Sequence, residues 1–107
     1  MDTAFANSST KAKLGIYVEL NAKVGKEVEL AQFLKSAQAL VEAETGTLAW
    51  YALQLADHRF AIFDTFADDQ GREAHLSGKV AEALMAHAPE LLATQPVIQK
   101  IEILASK

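Results

Sequence analysis

The 107-residue chain contains no cysteine, which removes several classes of site at once. Without cysteine there is no disulfide framework, no zinc–thiolate site and no thiol nucleophile. The absence fits a cytoplasmic protein, which is the location we expect. The first ten residues have neither a basic start nor an apolar run, so we do not expect a secretory signal.

Long apolar runs and basic clusters are also missing. No segment approaches the ~20 apolar residues of a membrane span, so no membrane partner is expected. The chain has 10 basic and 14 acidic residues, and no cluster of lysine and arginine stands out. We therefore expect no nucleic-acid partner, because nucleic-acid binding requires a basic surface. His58, His75 and His87 show no ligand spacing of the His-x-x-x-His kind, and the sequence predicts no metal site.

Length and composition predict a small globular unit. Half of the residues are hydrophobic, which is ordinary for a globular protein and too many for a disordered one. We expect a flexible N-terminal arm over residues 1–12, in which Phe5 could anchor on a partner subunit. Residues 13–107 are then expected to form a single domain.

The first half of the chain predicts a strand, a helix and a hairpin. Apolar and polar residues alternate from 14 to 21, and this period of two indicates a strand. From Lys26 the spacing becomes helical, and Gly46 is placed to end this helix in the left-handed conformation. Two further strands, 47–55 and 59–66, are separated by a tight connection and form a hairpin.

The second half predicts two helical pieces and a last strand. Asp68 and Asp69 can cap a helix that ends near Leu76. A second helical piece stops near Ala88-Pro89, and Glu90 to Ala93 could add a turn. A final strand covers 97–104. The order is a ferredoxin-like βαββαβ arrangement of the α+β class, with a four-stranded antiparallel sheet and helices on one face. Bulky residues occur on both faces of this sheet, so the uncovered face needs a partner, and we expect a homodimer.

Three segments together resemble the antibiotic biosynthesis monooxygenase family of small dimeric α/β-barrel proteins. They are Glu44-Thr45-Gly46-Thr47-Leu48-Ala49-Trp50, the strand from Phe60 to Phe66, and Arg72-Glu73-Ala74-His75-Leu76. The resemblance covers roughly residues 14 to 105. It implies that two sheets pair into a barrel and that the reaction needs no cofactor. In the haem-degrading branch of this superfamily a tryptophan stands at the end of the third strand. Phe66 stands there in this chain, so a haem-degrading role is disfavoured.

Two residues are candidate catalytic groups. His75 could act as a general base or as a hydrogen-bond donor to a phenol or quinol, because imidazole titrates near neutral pH. The alternative is a helix-terminal histidine that caps carbonyl groups. Asn21 could orient a substrate oxygen or dioxygen, as some relatives use an asparagine near this place. The alternative is a residue that suits the end of a strand.

Five residues are candidate substrate-binding groups. Trp50 could form a stacking wall for an aromatic substrate, or it could anchor the core or a dimer interface. Phe63 and Phe66 are expected to line the space under the second helical region. Tyr17 could donate a hydrogen bond within a cavity or lie at an interface. Arg72 could meet an anionic substrate group or pair with an aspartate of its own helix.

Two acidic residues stand in unusual places. Glu44 lies in the last turn of the first helix, where a negative charge is slightly unfavourable, so it is either solvated or paired, for example across the dimer. Asp64 lies in an otherwise apolar strand and is expected to be buried and paired, with a structural role.

The leading hypothesis for function comes from the resemblance. It is a cofactor-independent monooxygenase that oxidises a quinol or polyphenol-like aromatic with dioxygen. His75 would take the phenolic proton, and Asn21 would hydrogen-bond the oxygen species. The alternative is a non-catalytic dimeric barrel that binds a small aromatic or lipid-like ligand. A third possibility is another reaction on the same scaffold, such as isomerisation or decarboxylation.

Overall fold

The computed structural model describes residues 11–107, so the predicted arm lies outside the described residues up to residue 10. Seven elements follow along the chain. They are β1 (Leu14–Asn21), α1 (Glu27–Glu42), β2 (Thr47–Gln54), β3 (Arg59–Phe66), α2 (Asp69–Leu76), α3 (Lys79–Leu91) and β4 (Val97–Glu102). None of these helices is long and apolar enough to cross a membrane.

The four strands form one antiparallel sheet in the order β2-β3-β1-β4. This is the predicted α+β ferredoxin-like fold, with its second helical region divided between α2 and α3. Gly78 caps α3 and separates the two helices. The sheet order makes β2 and β4 the edge strands, while β1 and β3 lie at the centre.

One face of the sheet, which we call the covered face, packs against the helices. Every second residue of β1 and β3 points into this layer, because successive side chains of a strand alternate between faces. Leu20 and Phe66 are fully buried there. The main apolar cluster joins the strands to all three helices; its large buried members include Ile16, Val18, Leu20, Leu30, Leu34, Phe60, Ile62, Phe66, Leu84 and Leu91, with Leu76 of α2 packed against them.

The opposite face, which we call the open face, has no element of the described chain over it. Tyr17 and Phe63 are paired across β1 and β3, and Tyr51 is paired with Phe63 across β2 and β3. The rings of Tyr51 and Phe63 stack with their centroids 6.4 Å apart. Tyr51 is 53% exposed, so large apolar area remains accessible to solvent in the single chain.

Gly46 does not end a helix in the left-handed conformation, and this prediction is wrong. Helix α1 already ends at Glu42, and the only glycine with a positive φ among residues 11–107 is Gly25. Gly46 instead packs against Gly71 of α2. A Cβ atom on Gly46 would lie 2.9 Å from the Gly71 Cα atom, and one on Gly71 would lie 2.8 Å from the Gly46 carbonyl oxygen. The two glycines let the start of β2 touch α2 directly.

Helix α3 continues through Pro89 to Leu91, into the segment that the sequence left open as an additional turn. Proline removes one donor from the helix. However, the next turn is retained, because the Leu92 N–H donates to the Ala88 carbonyl at 2.9 Å. Leu91 and Leu92 are both buried, so continuing the helix places apolar side chains in the core.

A β-bulge interrupts the start of β2. Thr47 is paired with Phe66 and Ala49 with Thr65, so Leu48 is one extra residue on this strand. Residues three apart in a regular strand point to opposite faces. The bulge therefore places Thr47 and Trp50 on the same, covered face.

Candidate functional site

The centre of the candidate site is the imidazole of His75, which lies in the last turn of α2. This short helix begins as the sequence predicts, because the Asp68 side chain accepts a hydrogen bond from the Gly71 N–H at 2.9 Å. Arg72 fixes the helix to the sheet by donating to the carbonyl oxygens of Gly15 and Ile101 at 3.4 and 3.3 Å. His75 is 6% exposed, so its ring lies inside the protein.

Two carboxylates hold the ring of His75 from opposite sides. Its Nδ1 atom lies 2.6 Å from Glu44 Oε1, and its Nε2 atom lies 2.9 Å from Asp64 Oδ2. The Nδ1 contact is a hydrogen bond, whereas the Asp64 contact is a close ion pair without a well-directed hydrogen bond. The Phe66 ring packs beside the imidazole, with the ring centroids 5.5 Å apart. We call Glu44, His75 and Asp64 the carboxylate–histidine group.

The two carboxylates determine the protonation of His75. Burial by itself lowers the pKa of the imidazole, because it disfavours the charged form. The close contacts and negative charges of Asp64 and Glu44 outweigh burial and raise the pKa of His75 above its ordinary value of 6.5. The two carboxylates therefore stabilise the imidazolium form of the ring. With both carboxylates ionised and the ring protonated, the carboxylate–histidine group carries a formal charge of −1.

The group retains unused capacity to accept hydrogen bonds. Asp64 is completely buried, and its Oδ1 atom has no hydrogen-bond partner among residues 11–107. Glu44 Oε2 is likewise buried without a partner in the described part of the chain. The other oxygen of Glu44 also accepts from the Thr47 hydroxyl at 2.7 Å. A buried acceptor without a donor is costly, so these oxygens are suited to meet a donor brought by a ligand.

A cleft of about 380 Å³ opens beside this group. We call it the glycine cleft, because Gly46, Gly71 and Gly78 form part of its wall together with Glu44 and His75. A Cβ atom on Gly78 would lie 3.1 Å from Glu44 Oε2, so the absence of a side chain there leaves space beside the free oxygen. Among residues 11–107, no three His, Asp or Glu side chains are arranged to hold a metal ion.

The residues predicted to bind substrate divide between the two faces of the sheet. Trp50 and Phe66 lie on the covered face with His75, since Trp50 is paired with Asp64 across β2 and β3. Tyr17 and Phe63 lie on the open face. The structure therefore brings Trp50, Phe66 and His75 towards one site and places the other two aromatic residues on the far side of the sheet.

Asn21 lies at the other end of β1 from the carboxylate–histidine group. Asp64 is paired with Ile16, and the five residue steps from Ile16 to Asn21 span about 17 Å of strand. The Asn21 amide donates to the Thr94 hydroxyl at 3.4 Å. Within one chain, Asn21 and His75 therefore do not share a pocket. The catalytic role predicted for Asn21 remains a prediction.

The grouping of Glu44 and Asp64 around His75 is what reasoning from sequence missed. Each acidic residue occupies an unusual place in the sequence, but no spacing or pattern connects the two. The one available signal was Asp64 in an apolar strand, directly before a short helix that carries a histidine. Thr47 was not singled out, because its role depends on the bulge at Leu48.

No family model matches the chain, and no curated protein matches it. Solved structures do. NE2512, a protein of unknown function from Nitrosomonas europaea, is 52% identical over 90% of this chain and 93% of its own, with a TM-score of 0.88. A protein from Caulobacter crescentus named as a putative antibiotic biosynthesis monooxygenase is 17% identical over 95% of this chain and 99% of its own, with a TM-score of 0.75.

A second protein from Nitrosomonas europaea with the same descriptive name is 15% identical over 88% of this chain and 93% of its own, with a TM-score of 0.76. At these low identities, the two monooxygenase-named proteins share the fold with this chain. The identity to NE2512 is far higher and extends over nearly all of both chains. The chain therefore belongs to the same family as NE2512, and its fold is that of the antibiotic biosynthesis monooxygenase proteins.

Proposed function

We propose that the protein is a cofactor-independent monooxygenase that oxidises a quinol or polyphenol-like aromatic with dioxygen. The observation that carries this proposal is the buried carboxylate–histidine group in the wall of the glycine cleft. The fold shared with proteins named as monooxygenases supports the same conclusion.

The carboxylate–histidine group is suited to accept a proton from a phenol. Its formal charge of −1 is costly inside a protein, and one additional proton makes the group neutral. Both ring nitrogens of His75 are engaged by carboxylates, whereas Glu44 has an oxygen without a partner among residues 11–107, so Glu44 is the acceptor in this mechanism. Glu44 lines the cleft and has a free oxygen, and its contact with the imidazolium keeps that oxygen in place.

Deprotonation makes the aromatic ring a better reductant for dioxygen. The phenolate transfers one electron to dioxygen, and the resulting superoxide and ring radical combine at a ring carbon to give a peroxide anion. Glu44 returns its proton to this anion, which gives a hydroperoxide. Loss of water from this hydroperoxide gives a hydroxylated quinone, so one oxygen atom enters the product and the other leaves as water. Phe66 and Trp50 supply aromatic surface beside the site.

Oxygen consumption by the purified protein against a panel of quinols tests the proposal. Glu44→Gln keeps the shape of the side chain and removes its charge, and we expect it to lower turnover by at least about 100-fold. Glu82→Gln, an exposed residue of α3, is the matched control and should leave turnover unchanged. Full activity of Glu44→Gln would contradict the assigned proton acceptor, and absence of uptake with every quinol would contradict the function.

One observation favours the second candidate, a non-catalytic protein that binds a small aromatic or lipid-like ligand. Both ring nitrogens of His75 are already engaged by Glu44 and Asp64, so the group could hold α2 against the sheet without chemistry. Ligand binding without oxygen consumption would support this reading.

We also propose that two copies of the chain pair through the open face. Tyr17, Tyr51 and Phe63 form an aromatic surface at its centre, and Val97, which is 66% exposed, extends it onto the edge strand β4. Sedimentation at micromolar concentration should give a dimer, and Phe63→Glu should give a monomer. A monomeric native protein would contradict the pairing.

A further inference from the structure

A second cleft, which we call the α1–β2 cleft, lies between α1 and the edge strand β2. Its volume is about 510 Å³, larger than that of the glycine cleft. Glu44 belongs to the walls of both clefts, so the two spaces meet at the carboxylate–histidine group. The helix contributes Leu34, Gln38 and Val41 to the wall, and the strand contributes Leu48 and Trp50.

The indole N–H of Trp50 is the unusual feature of this cleft. Its Nε1 atom is buried and has no hydrogen-bond partner among residues 11–107. Leaving such a donor unpaired is costly, and an acceptor on a ligand would relieve that cost. The bulge at Leu48 is what turns Trp50 to the covered face, and bulges commonly redirect a side chain beside a functional site.

The charges around the cleft restrict what that acceptor can be. Lys35 lines the cleft and forms no salt bridge within the part of the chain that the structure describes. Two carboxylates, those of Glu42 and Glu44, line the same space, and Gln38 donates to Glu42 at 3.3 Å. These carboxylates disfavour an anionic ligand, whereas a neutral carbonyl oxygen can accept from Trp50 without repulsion.

We propose that the α1–β2 cleft binds a neutral aromatic carbonyl compound of the quinone class, whose carbonyl oxygen accepts a hydrogen bond from Trp50 Nε1. The inference rests on the proposed function in one respect, since a quinone is the class of product that such a reaction releases beside Glu44. Trp50 then acts as a specific donor for the ligand in addition to giving apolar surface.

The chain suits a direct test, because Trp50 is its only tryptophan and there is no cysteine to react with a quinone. In a ¹⁵N-labelled sample the single indole N–H signal reports on this cleft alone. Titration with 1,4-naphthoquinone should move the indole signal together with the amide signals of Gln38 and Leu48. Naphthalene, which has no acceptor, should leave the indole proton without the downfield shift of a hydrogen bond.

Two matched variants separate the hydrogen bond from apolar contact. Trp50→Phe keeps an aromatic ring and removes the donor, so its affinity for 1,4-naphthoquinone should fall about five-fold, the effect of one hydrogen bond, while its affinity for naphthalene changes by less. His87→Phe, which removes an N–H donor from an exposed ring of α3 outside this cleft, should leave both affinities unchanged.

The inference is overturned if the quinone leaves the indole signal unmoved, if it moves only amides of the glycine cleft such as Gly71 and Gly78, or if Trp50→Phe binds quinone as well as the native chain. Failure of the proposed function gives a different result. In that case no quinol consumes oxygen, while the Trp50 signal still responds to 1,4-naphthoquinone, and the α1–β2 cleft remains a binding site for quinones.

Discussion

The two faces of the sheet are made by alternate residues of the same strands, yet they differ in kind. The covered face combines a close-packed apolar cluster with one buried charged group, in which Asp64 has no exposed surface. The open face carries Tyr17, Tyr51 and Phe63, which are partly or largely exposed in the single chain. The buried charged group and the exposed aromatic residues therefore lie on opposite sides of one sheet.

The face on which a side chain lies determines which other side chains it can contact. A residue on the open face is separated from His75 by the thickness of the sheet, however close it lies in sequence. Phe63 and Asp64 are neighbours in the chain, but only Asp64 reaches the imidazole. A molecule bound at the carboxylate–histidine group would therefore contact residues of the covered face.

The largest expected effect comes from removing an aromatic ring from each face. Phe66→Ala should lower the free energy of unfolding by about 3–5 kcal/mol, because Phe66 is fully buried and its loss leaves a cavity. Phe63→Ala should lower the free energy of unfolding by much less at low protein concentration. This loss should grow with protein concentration if the open face is an interface. Urea unfolding at two protein concentrations measures both losses of unfolding free energy. Equal losses for the two variants would contradict the difference between the two faces.

The next effect concerns the charge buried on the covered face. Asp64→Asn retains the size of the side chain and removes one of the two charges that hold the imidazolium. We expect a loss of about 1.5–3 kcal/mol in the free energy of unfolding, because a charged group loses its partner inside the protein. Asp57→Asn, in the exposed turn between β2 and β3, is the control. A stability equal to that of the native chain would show that the buried ion pair contributes nothing.

The pH dependence of stability gives a smaller and more specific effect. The pKa of His75 is raised in the folded protein, so its protonation stabilises the fold. This contribution is complete below the ordinary pKa of 6.5 and is lost as pH rises through the higher pKa of the folded state. His75→Gln should abolish this decline in the unfolding free energy, and His87→Gln, an exposed histidine of α3, should preserve it. A decline that survives in His75→Gln would assign it to another group.

The smallest effect is expected at the rim of the covered face. Lys100 of β4 and Glu73 of α2 form a salt bridge of 2.7 Å in which both side chains are about half exposed. Lys100→Gln should change the free energy of unfolding by no more than about 1 kcal/mol, as solvent screens such pairs. A larger change would mean that this salt bridge helps to hold α2, and therefore His75, against the sheet.

Much of the fold follows from local patterns in the sequence. The alternation from 14 to 21 and the hairpin of β2 and β3 are sufficient to predict the sheet, and the aspartate at 68 is sufficient to predict the start of α2. The error at Gly46 has a tertiary cause, and so does the continuation of α3 beyond Pro89. Gly46 is required by the close approach of Gly71, and α3 passes Pro89 because the residues after it are buried.

The site was less predictable than the fold for the same reason. Glu44 lies 31 residues before His75, and only the contact of the two glycines brings the loop and the helix together. The bulge at Leu48 places Trp50 on the same face of the sheet as Thr47, and no periodic pattern in the sequence predicts this bulge. The residues that could be named in advance were single ones, such as His75, whose chemistry is visible without knowledge of its neighbours.

The most direct test of the central claim is a pH titration of the ring nitrogens of His75 by ¹⁵N NMR, with His75→Gln to assign its signals. The account predicts a pKa above 6.5, with both nitrogens protonated at pH 6.5, and a lower pKa in Asp64→Asn and Glu44→Gln. A neutral ring at pH 6.5, or a pKa that neither variant changes, would contradict a carboxylate–histidine group as the charged centre of the covered face.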